Sequence, residues 1–231
     1  MVSEIVLALD VTDPDAALRL LDRLPELRWV KVGSVLMTAV GTPFVRQLTS
    51  RGLQVFLDLK WHDIPTTVAG SVISAHRLGV AMATVHTLGG ARMLEAAAQA
   101  AGDSIALVGV TVLTSHDGPS YAAAVGRPGV KLEPEVERLS SAARSAGLKG
   151  VVCSPREVGA VRRVWNGSPI IVVPGIRRRS DVPGDQVRVS TAGDAARDGA
   201  THLVVGRPLL QASDPGAVFR ELCEEAACAG A

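Results

Sequence analysis

Residues 53–65 have the sequence LQVFLDLKWHDIP, an apolar run that ends in closely spaced charges. Side chains two positions apart on a β-strand share a face, so Asp58 and Lys60 should point one way and Leu57 and Leu59 the other. Charges on an otherwise apolar strand are costly to bury unless they are paired or used in chemistry. The stretch therefore predicts a strand over residues 53–60 that presents a functional Asp/Lys pair at its end.

Short apolar runs of this kind alternate with helical patterns along the whole chain. The eight runs are Ile5–Asp10, Trp29–Gly33, Leu53–Lys60, Ala81–His86, Ile105–Leu113, Gly150–Cys153, Pro169–Val173 and His202–Val205. Within 231 residues they give strand–helix cycles of about 29 residues, the usual size in a (β/α)8 barrel. We expect an α/β protein with the (β/α)8 TIM-barrel fold and a single domain over residues 1–231. A doubly wound open sheet is the alternative, although no glycine-rich dinucleotide fingerprint follows the first strand.

Helix signals separate these strands. Asp13 followed by Pro14 has the pattern of an N-cap and a first helical turn, and the spacing at Ser154 and Glu157 is that of a capping box. Residues 35–51 are expected to form one helix that ends before Gly52. The longer polar segment 114–127 contains Gly and Pro and is a candidate lid over the site.

Composition excludes several classes of protein. The chain is 47% hydrophobic with a net charge of +1, which gives no case for a nucleic-acid or anionic-membrane partner. No apolar run reaches the roughly 18 residues of a membrane span, and the N-terminus lacks the basic start of a signal peptide. The three cysteines do not cluster as metal ligands, so they are interpreted as free thiols of a reducing compartment. We expect a cytoplasmic protein.

In a barrel, the carboxyl ends of the strands meet at one mouth, where active sites lie. The residues that end the first four predicted strands should converge there: Asp10, Lys31, Asp58, Lys60 and His86. The alternative for each is that it forms an ion pair with a neighbour in solvent. Asp63, just before Ile64-Pro65, could instead cap the next helix.

A second set of candidates follows the last two strands, the usual phosphate site of these barrels. Gly175 and Gly206 would let the backbone approach a phosphate, and Arg177 and Arg207 would bind its oxygens. Gln186 belongs to the same loop, and Arg178 and Arg179 are interpreted as a solvated basic pair. No cluster of His, Cys and carboxylate residues has metal-ligand spacing, so no metal is predicted.

Residues 58–68, DLKWHDIPTTV, resemble the signature of the orotidine 5′-phosphate decarboxylase family. The resemblance extends in order through Ala8–Asp10, Val30–Gly33, Val112–Ser115, Val151–Ser154, Pro174–Arg177, Asp185–Arg188 and Val205–Pro208. It covers nearly the whole chain and is closest to the bacterial form. It implies a barrel that converts orotidine 5′-phosphate to UMP and CO2 without a cofactor.

The resemblance also implies roles for individual residues. Lys60 would be the proton donor in a network with Lys31, Asp58 and Asp63, and the partner subunit of a homodimer would supply Asp63 and Thr67. The nucleotide would be held by Asp10 and Lys31 at the ribose, Thr114 and Ser115 at the pyrimidine, and Arg177, Gln186, Gly206 and Arg207 at the phosphate.

Two other functions remain open. Sugar-phosphate decarboxylases and synthases of related barrels share the Asp-x-Lys-x-x-Asp pattern but use magnesium and have an acid at the position of Lys31. A non-catalytic phosphonucleotide-binding protein would keep the phosphate end but would have no need of the complete Asp58/Lys60 pair.

Overall fold

The computed structural model describes residues 3–179, 181 and 188–229, and eight parallel strands within them close into a barrel. These are β1 (Glu4–Ala8), β2 (Trp29–Gly33), β3 (Gln54–Trp61), β4 (Met82–His86), β5 (Ala106–Val110), β6 (Gly150–Val152), β7 (Ile170–Pro174) and β8 (His202–Val205). Each strand pairs with the next, and β8 pairs with β1. The predicted (β/α)8 barrel is confirmed, and the open-sheet alternative is wrong.

Helices connect the strands and cover the outside of the barrel. They are α1 (Pro14–Asp22), α2 (Ser34–Val40), α3 (Thr42–Ser50), α4 (Pro65–Arg77), α5 (Gly90–Ala101), α6 (Gly118–Ala124), α7 (Leu132–Ser145), α8 (Val158–Val164), α9 (Ala192–Asp198), α10 (Arg207–Leu210) and α11 (Pro215–Cys228). Short 3-10 turns occupy Thr87–Gly89 and Pro155–Glu157. Within the described ranges, none of these helices has both the length and the apolar character that a membrane crossing requires.

The predicted helix starts at Asp13 and Ser154 are confirmed. The Asp13 side chain accepts a hydrogen bond from the backbone N–H of Asp15, and Pro14 occupies the first turn of α1. Ser154 and Glu157 form a reciprocal capping box at the 3-10 turn that leads into α8. Local sequence therefore determines these two starts.

The single helix expected over residues 35–51 is wrong, because the chain forms α2 and α3 with a break at Gly41. Gly41 has φ +69°, in the left-handed region that favours glycine. Pro43 follows in the first turn of α3, where its missing N–H costs nothing, whereas inside a continuous helix it would remove a hydrogen bond and clash with the preceding turn.

The candidate lid, residues 114–127, is only partly a loop, because α6 occupies its second half. Tyr121 on α6 is buried, and its hydroxyl donates a hydrogen bond of 2.9 Å to Glu135 on α7. Arg127 and Arg138 both pair with the same carboxylate. These contacts attach α6 and the residues after it to α7. Only the part of the predicted lid that precedes Gly118 therefore remains a candidate lid.

Two clusters of apolar side chains form the core. The larger one fills the space between the barrel and the surrounding helices. The smaller one lies inside the barrel and includes Val6, Phe56, Met82 and Val108. The charged side chains at the mouth lie directly above this inner layer.

Candidate active site

Four side chains of alternating charge form a row across the mouth of the barrel. Lys31 Nζ lies 2.9 Å from Asp10 Oδ1 and 3.6 Å from Asp58 Oδ2. Lys60 Nζ lies 2.9 Å from the same Asp58 Oδ2. The predicted convergence of these residues from β1, β2 and β3 is confirmed, and they form one continuous network.

Burial distinguishes the two lysines of the row. The Lys31 side chain is 10% exposed and is enclosed between two carboxylates, whereas the Lys60 side chain is 39% exposed. Asp58 is itself mostly buried, at 12%. A buried charge is tolerated only with such partners. Lys31 therefore anchors the row, and the Lys60 ammonium is the cation presented to the cavity.

The Lys60 backbone is unusual for a strand residue. Its φ is +51°, the only positive φ among the described non-glycine residues, and the pairing of β3 with β4 shifts register between Leu57 and Trp61. Side-chain pleating alone therefore does not produce the Asp58/Lys60 contact. Left-handed backbone at a non-glycine residue costs free energy and is often found at functional sites.

Thr84 on β4 holds this irregular turn in place. Its hydroxyl accepts a hydrogen bond of 2.8 Å from the Lys60 backbone N–H and donates one of 3.1 Å to Asp58 Oδ1. The residue is fully buried. The Thr84 hydroxyl thus fixes both the backbone of Lys60 and the Asp58 carboxylate with which the Lys60 ammonium pairs.

Gly33, at the end of β2, leaves room for the charged row. A Cβ atom at this position would lie 2.9 Å from Lys31 Nζ and 3.2 Å from Asp10 Oδ1. Any larger residue would therefore displace the Lys31 ammonium from its place between the two carboxylates.

A cavity of about 640 Å³ opens above the row. Nine of the predicted site residues line it: Asp10, Lys31, Asp58, Lys60, Thr114, Gly175, Arg177, Gly206 and Arg207. Phe56, Val172 and Val204 from the inner core form part of its apolar floor. The cavity therefore joins a charged side, an apolar floor and a basic side, as a phosphorylated aromatic ligand would require.

The basic side of the cavity is built by the ends of β7 and β8. Gly175 has φ +83°. Two residues later, Arg177 Nη1 donates a hydrogen bond of 2.9 Å to the Ile176 carbonyl. Gly206 and Arg207 follow β8 directly. Gln186 lies outside the described residues. Arg178 is not the solvated cation that we expected, because it pairs with Asp181 at 2.9 Å.

Asp63, Thr67 and Ser115 are exposed and do not line the cavity of this chain. Asp63 does not cap α4 either, so that alternative is wrong. Ile64 is the N-cap residue, and Asp63 Oδ1 accepts a hydrogen bond of 2.6 Å from the adjacent Ile64 N–H instead. The Asp63 carboxylate is used only locally and remains available at the surface.

Comparison with known proteins agrees with this geometry. The sequence model of the family described as "Orotidine 5'-phosphate decarboxylase / HUMPS family" matches residues 3–222. The chain belongs to this family. Proteins named orotidine 5′-phosphate decarboxylase are 44% identical in Nitrosospira multiformis, over 94% of this chain and 91% of that protein, and 45% identical in Halorhodospira halophila, over 98% and 97%. The crystal structure of the Lactobacillus acidophilus enzyme of that name superposes with a TM-score of 0.85 at 32% identity, over 96% of this chain and 98% of that one.

The histidines near the mouth of the barrel, His62 and His86, have structural roles. The rings of His62 and His86 stack with centroids 5.5 Å apart. Burial, followed by the nearby His62 and Lys60, lowers the pKa of His86 to about 4. His86 Nδ1 accepts a hydrogen bond of 3.4 Å from the Leu88 N–H. A neutral His86 is therefore a packing partner of His62.

Cys153 lines the cavity at the end of β6 but is chemically quiet. Burial raises the pKa of its thiol to about 12, which keeps it protonated near neutrality. All three cysteines of the chain are free thiols, as predicted. In the described part of the chain, His, Cys, Asp and Glu residues do not group in threes or more as metal ligands.

Two residues of the site, Thr84 and Gly33, were missed by the sequence interpretation. Thr84 is a hydroxyl residue inside an apolar strand, between Ala83 and Val85, and that position is a weak signal of a buried hydrogen bond. Gly33 ends a strand beside a lysine, where the absence of a side chain hints at a close approach.

Proposed function

We propose that this chain is an orotidine 5′-phosphate decarboxylase, which converts orotidine 5′-phosphate to UMP and CO2 in pyrimidine biosynthesis. The observation that carries the proposal is the row from Asp10 to Lys60 at the edge of a cavity whose other side is basic. Relatives bearing this name align with nearly the full chain. A single barrel domain, residues 1–231, would contain all of these groups.

The charged row is suited to a reaction that produces a negative charge which the substrate cannot delocalise. When the bond from C6 to the carboxylate breaks, its electron pair stays on C6 in the plane of the pyrimidine, outside the π system. A positioned ammonium stabilises that charge electrostatically and then donates the proton that replaces CO2. Lys60 presents the more exposed ammonium and is assigned this role; its neutral amine regains a proton from solvent.

Asp58 and Lys31 prepare Lys60 for this step. Asp58 Oδ2 lies within 2.9 Å of Lys60 Nζ and 3.6 Å of Lys31 Nζ, so one carboxylate orients the donor while a second cation balances its charge. Because the groups are fixed before substrate arrives, little reorganisation is needed during the reaction. Asp58 would also face the departing carboxylate and disfavour its negative charge.

The remaining cavity residues are assigned to substrate binding. Asp10 and Lys31 are assigned to the ribose hydroxyls, and Thr114, with Ser115 beside it in the chain, is assigned to the pyrimidine. Arg177, Gly206 and Arg207, together with Gln186, are assigned to the phosphate. Binding energy from the remote phosphate would hold the reacting ring against Lys60, which increases turnover as well as affinity.

We also propose a cytoplasmic homodimer in which Asp63 and Thr67 enter the cavity of the partner subunit. Both side chains are exposed on the segment that follows β3. Apolar residues of the same segment are exposed as well, Ile64 at 64% and Ile73 at 42%. Exposed apolar residues beside polar ones are typical of a surface that another subunit covers.

Turnover in excess chelator tests the proposed function. Purified protein treated with EDTA should convert orotidine 5′-phosphate to UMP, because every group assigned above belongs to the protein. A magnesium-dependent activity on a keto-sugar phosphate, with none on the nucleotide, would instead support the sugar-phosphate alternative. The Lys31 ammonium argues against that outcome, since it occupies the strand-two position where those enzymes have an acid.

A further inference from the structure

Arg188 is one of the most deeply buried charged residues of the described chain, at 4% exposure. Its guanidinium forms an ion pair with Glu157, which is equally buried. Nη1 also donates a hydrogen bond of 3.1 Å to Ser154 Oγ, and Nη2 donates one of 2.9 Å to the Leu113 carbonyl and a longer one of 3.5 Å to that of Val112. None of these residues has a role in the mechanism described above.

These contacts join three loops at the mouth of the barrel. Leu113 lies between β5 and α6, and its carbonyl also accepts a hydrogen bond of 3.0 Å from the His116 N–H. Ser154 and Glu157 form the capping box after β6. Arg188 itself belongs to the loop after β7. Its guanidinium therefore holds the loops after β5 and β6 against the loop after β7.

The backbone near Arg188 is attached to the phosphate side of the cavity. Ser190, two residues further on, pairs with Ile176 in an isolated bridge, and its carbonyl accepts a hydrogen bond of 2.9 Å from the Arg177 N–H. Arg177 lines the cavity after β7, and Val112, Leu113 and Thr114 line it after β5, two strands away in the barrel order. Covalent and hydrogen bonds therefore connect Arg177, through Ser190 and Arg188, to Leu113, and so link the loop after β7 to the loop after β5.

We propose that Arg188 is a positioning residue that fixes the 113–116 turn, and with it Thr114 and Ser115, relative to the phosphate side of the cavity. The proposal rests on the proposed function for the identity of the ligand. Arginine suits this role because its planar fork can bind a carboxylate and two carbonyls at once, whereas the ammonium of lysine is a single point of charge.

Arg188→Lys tests the proposal with the charge retained. The lysine can still face Glu157 but cannot also reach the carbonyls of the turn, so kcat/KM for orotidine 5′-phosphate should fall roughly 10- to 100-fold. UMP should bind more weakly by a similar factor. Hydrogen exchange, followed by mass spectrometry on peptides covering residues 111–118, should be faster in this variant without nucleotide present, because the turn has lost a support.

A second variant separates positioning from stability. Arg188→Met combined with Glu157→Gln removes both charges but leaves an amide oxygen to accept from the Ser154 N–H, so no buried charge is left unpaired. It should lose kcat/KM and turn protection as Arg188→Lys does, with a smaller loss of thermal stability than Arg188→Met alone. Arg163→Met is the matched control, since Arg163 likewise pairs with glutamate, at Glu133 and Glu137, but its side chain is 59% exposed. It should leave both readouts unchanged.

Hydrogen exchange needs no catalysis, so it distinguishes this proposal from the proposed function. Wild-type protein that fails to decarboxylate the nucleotide would overturn the function alone. The positioning role is overturned if Arg188→Lys keeps kcat/KM within twofold of wild type and an unchanged exchange rate at 111–118. It is equally overturned if exchange rises across the whole barrel in parallel with a lower Tm, which would mark Arg188 as a general stabiliser.

Discussion

At the scale of single residues, Lys60 combines an unusual backbone conformation with well-defined contacts. Its left-handed backbone, its contact with Asp58 and the support of Thr84 all direct one ammonium toward the cavity. The strand pattern of residues 53–60 predicted that Asp58 and Lys60 share one face of the strand, but their contact in the structure also depends on the positive φ of Lys60. It could not predict the positive φ, because that conformation depends on a hydroxyl from β4, which is distant in sequence.

Replacing Lys60 by alanine should abolish measurable turnover while UMP binding stays within a few-fold of wild type. The proton donor is lost, and removing a positioned acid typically costs 10²- to 10⁴-fold or more. Steady-state kinetics and calorimetric titration with UMP measure the two effects. Lys149→Ala is the control, because Lys149 forms an exposed pair with Asp103 away from the mouth, and it should behave as wild type. A Lys60→Ala variant with near-normal kcat would refute the assigned role.

Thr84→Val should reduce kcat more than its loss of stability explains. Valine keeps the shape of threonine but removes the hydroxyl that bonds the Lys60 N–H and Asp58 Oδ1, at a cost of about 1–3 kcal/mol. Thr201→Val provides the comparison, since the Thr201 hydroxyl also bonds twice to a neighbouring strand, at Ile171. Both variants should unfold at a lower temperature, but only Thr84→Val should have a reduced kcat. Equal kcat in the two would show that Thr84 serves the fold alone.

At the scale of elements, the carboxyl end of β2 is shaped around the charged row. Gly33→Ala should fold normally, because the atom that its Cβ meets at 2.9 Å is the flexible end of Lys31. The displaced ammonium would leave Asp58 and Asp10 less well balanced, so kcat/KM should fall about tenfold or more. Gly159→Ala in α8 is the control, since its Cβ meets no atom closer than 4.0 Å. Unchanged kinetics in Gly33→Ala would show that the reaction does not depend on the position of the Lys31 ammonium in the network.

Element boundaries show where sequence patterns suffice. Asp13 and Ser154 mark helix starts correctly because the capping group and the helix are adjacent in the chain. The break at Gly41 was also encoded locally, in Gly41 and Pro43, but the apolar spacing on either side conceals it. The anchoring of α6 by Glu135 could not be foreseen, because it depends on how α6 and α7 pack.

At the scale of the whole molecule, the alternation of strands and helices was enough to predict the barrel and the mouth at which the charges meet. It gave less information about assembly. Asp63 and Thr67 are exposed and do not line the cavity of their own chain, so a site that uses them would have to be completed by a second subunit.

Mixing two inactive variants tests the shared site. If Asp63 enters the cavity of the partner subunit, a dimer of Lys60→Ala with Asp63→Ala has one site that has lost both residues and another that has kept both. If subunits exchange freely, half of the dimers are mixed and each has one intact site, so activity should recover to about a quarter of wild type. The mixture should be assayed after dissociation and reassociation. Activity equal to the average of the separate variants would show that Asp63 does not cross between subunits.

The central claim is that the protein itself breaks the bond to the C6 carboxylate and that Lys60 protonates C6. Proton NMR of orotidine 5′-phosphate incubated with the protein in D2O and excess EDTA tests both parts at once. The expected product is UMP carrying deuterium at C6, since the Lys60 ammonium exchanges with solvent before it donates, and Lys60→Ala should give none. Unchanged orotidine 5′-phosphate with the wild-type protein, or equal deuterated product from the variant, would contradict the account.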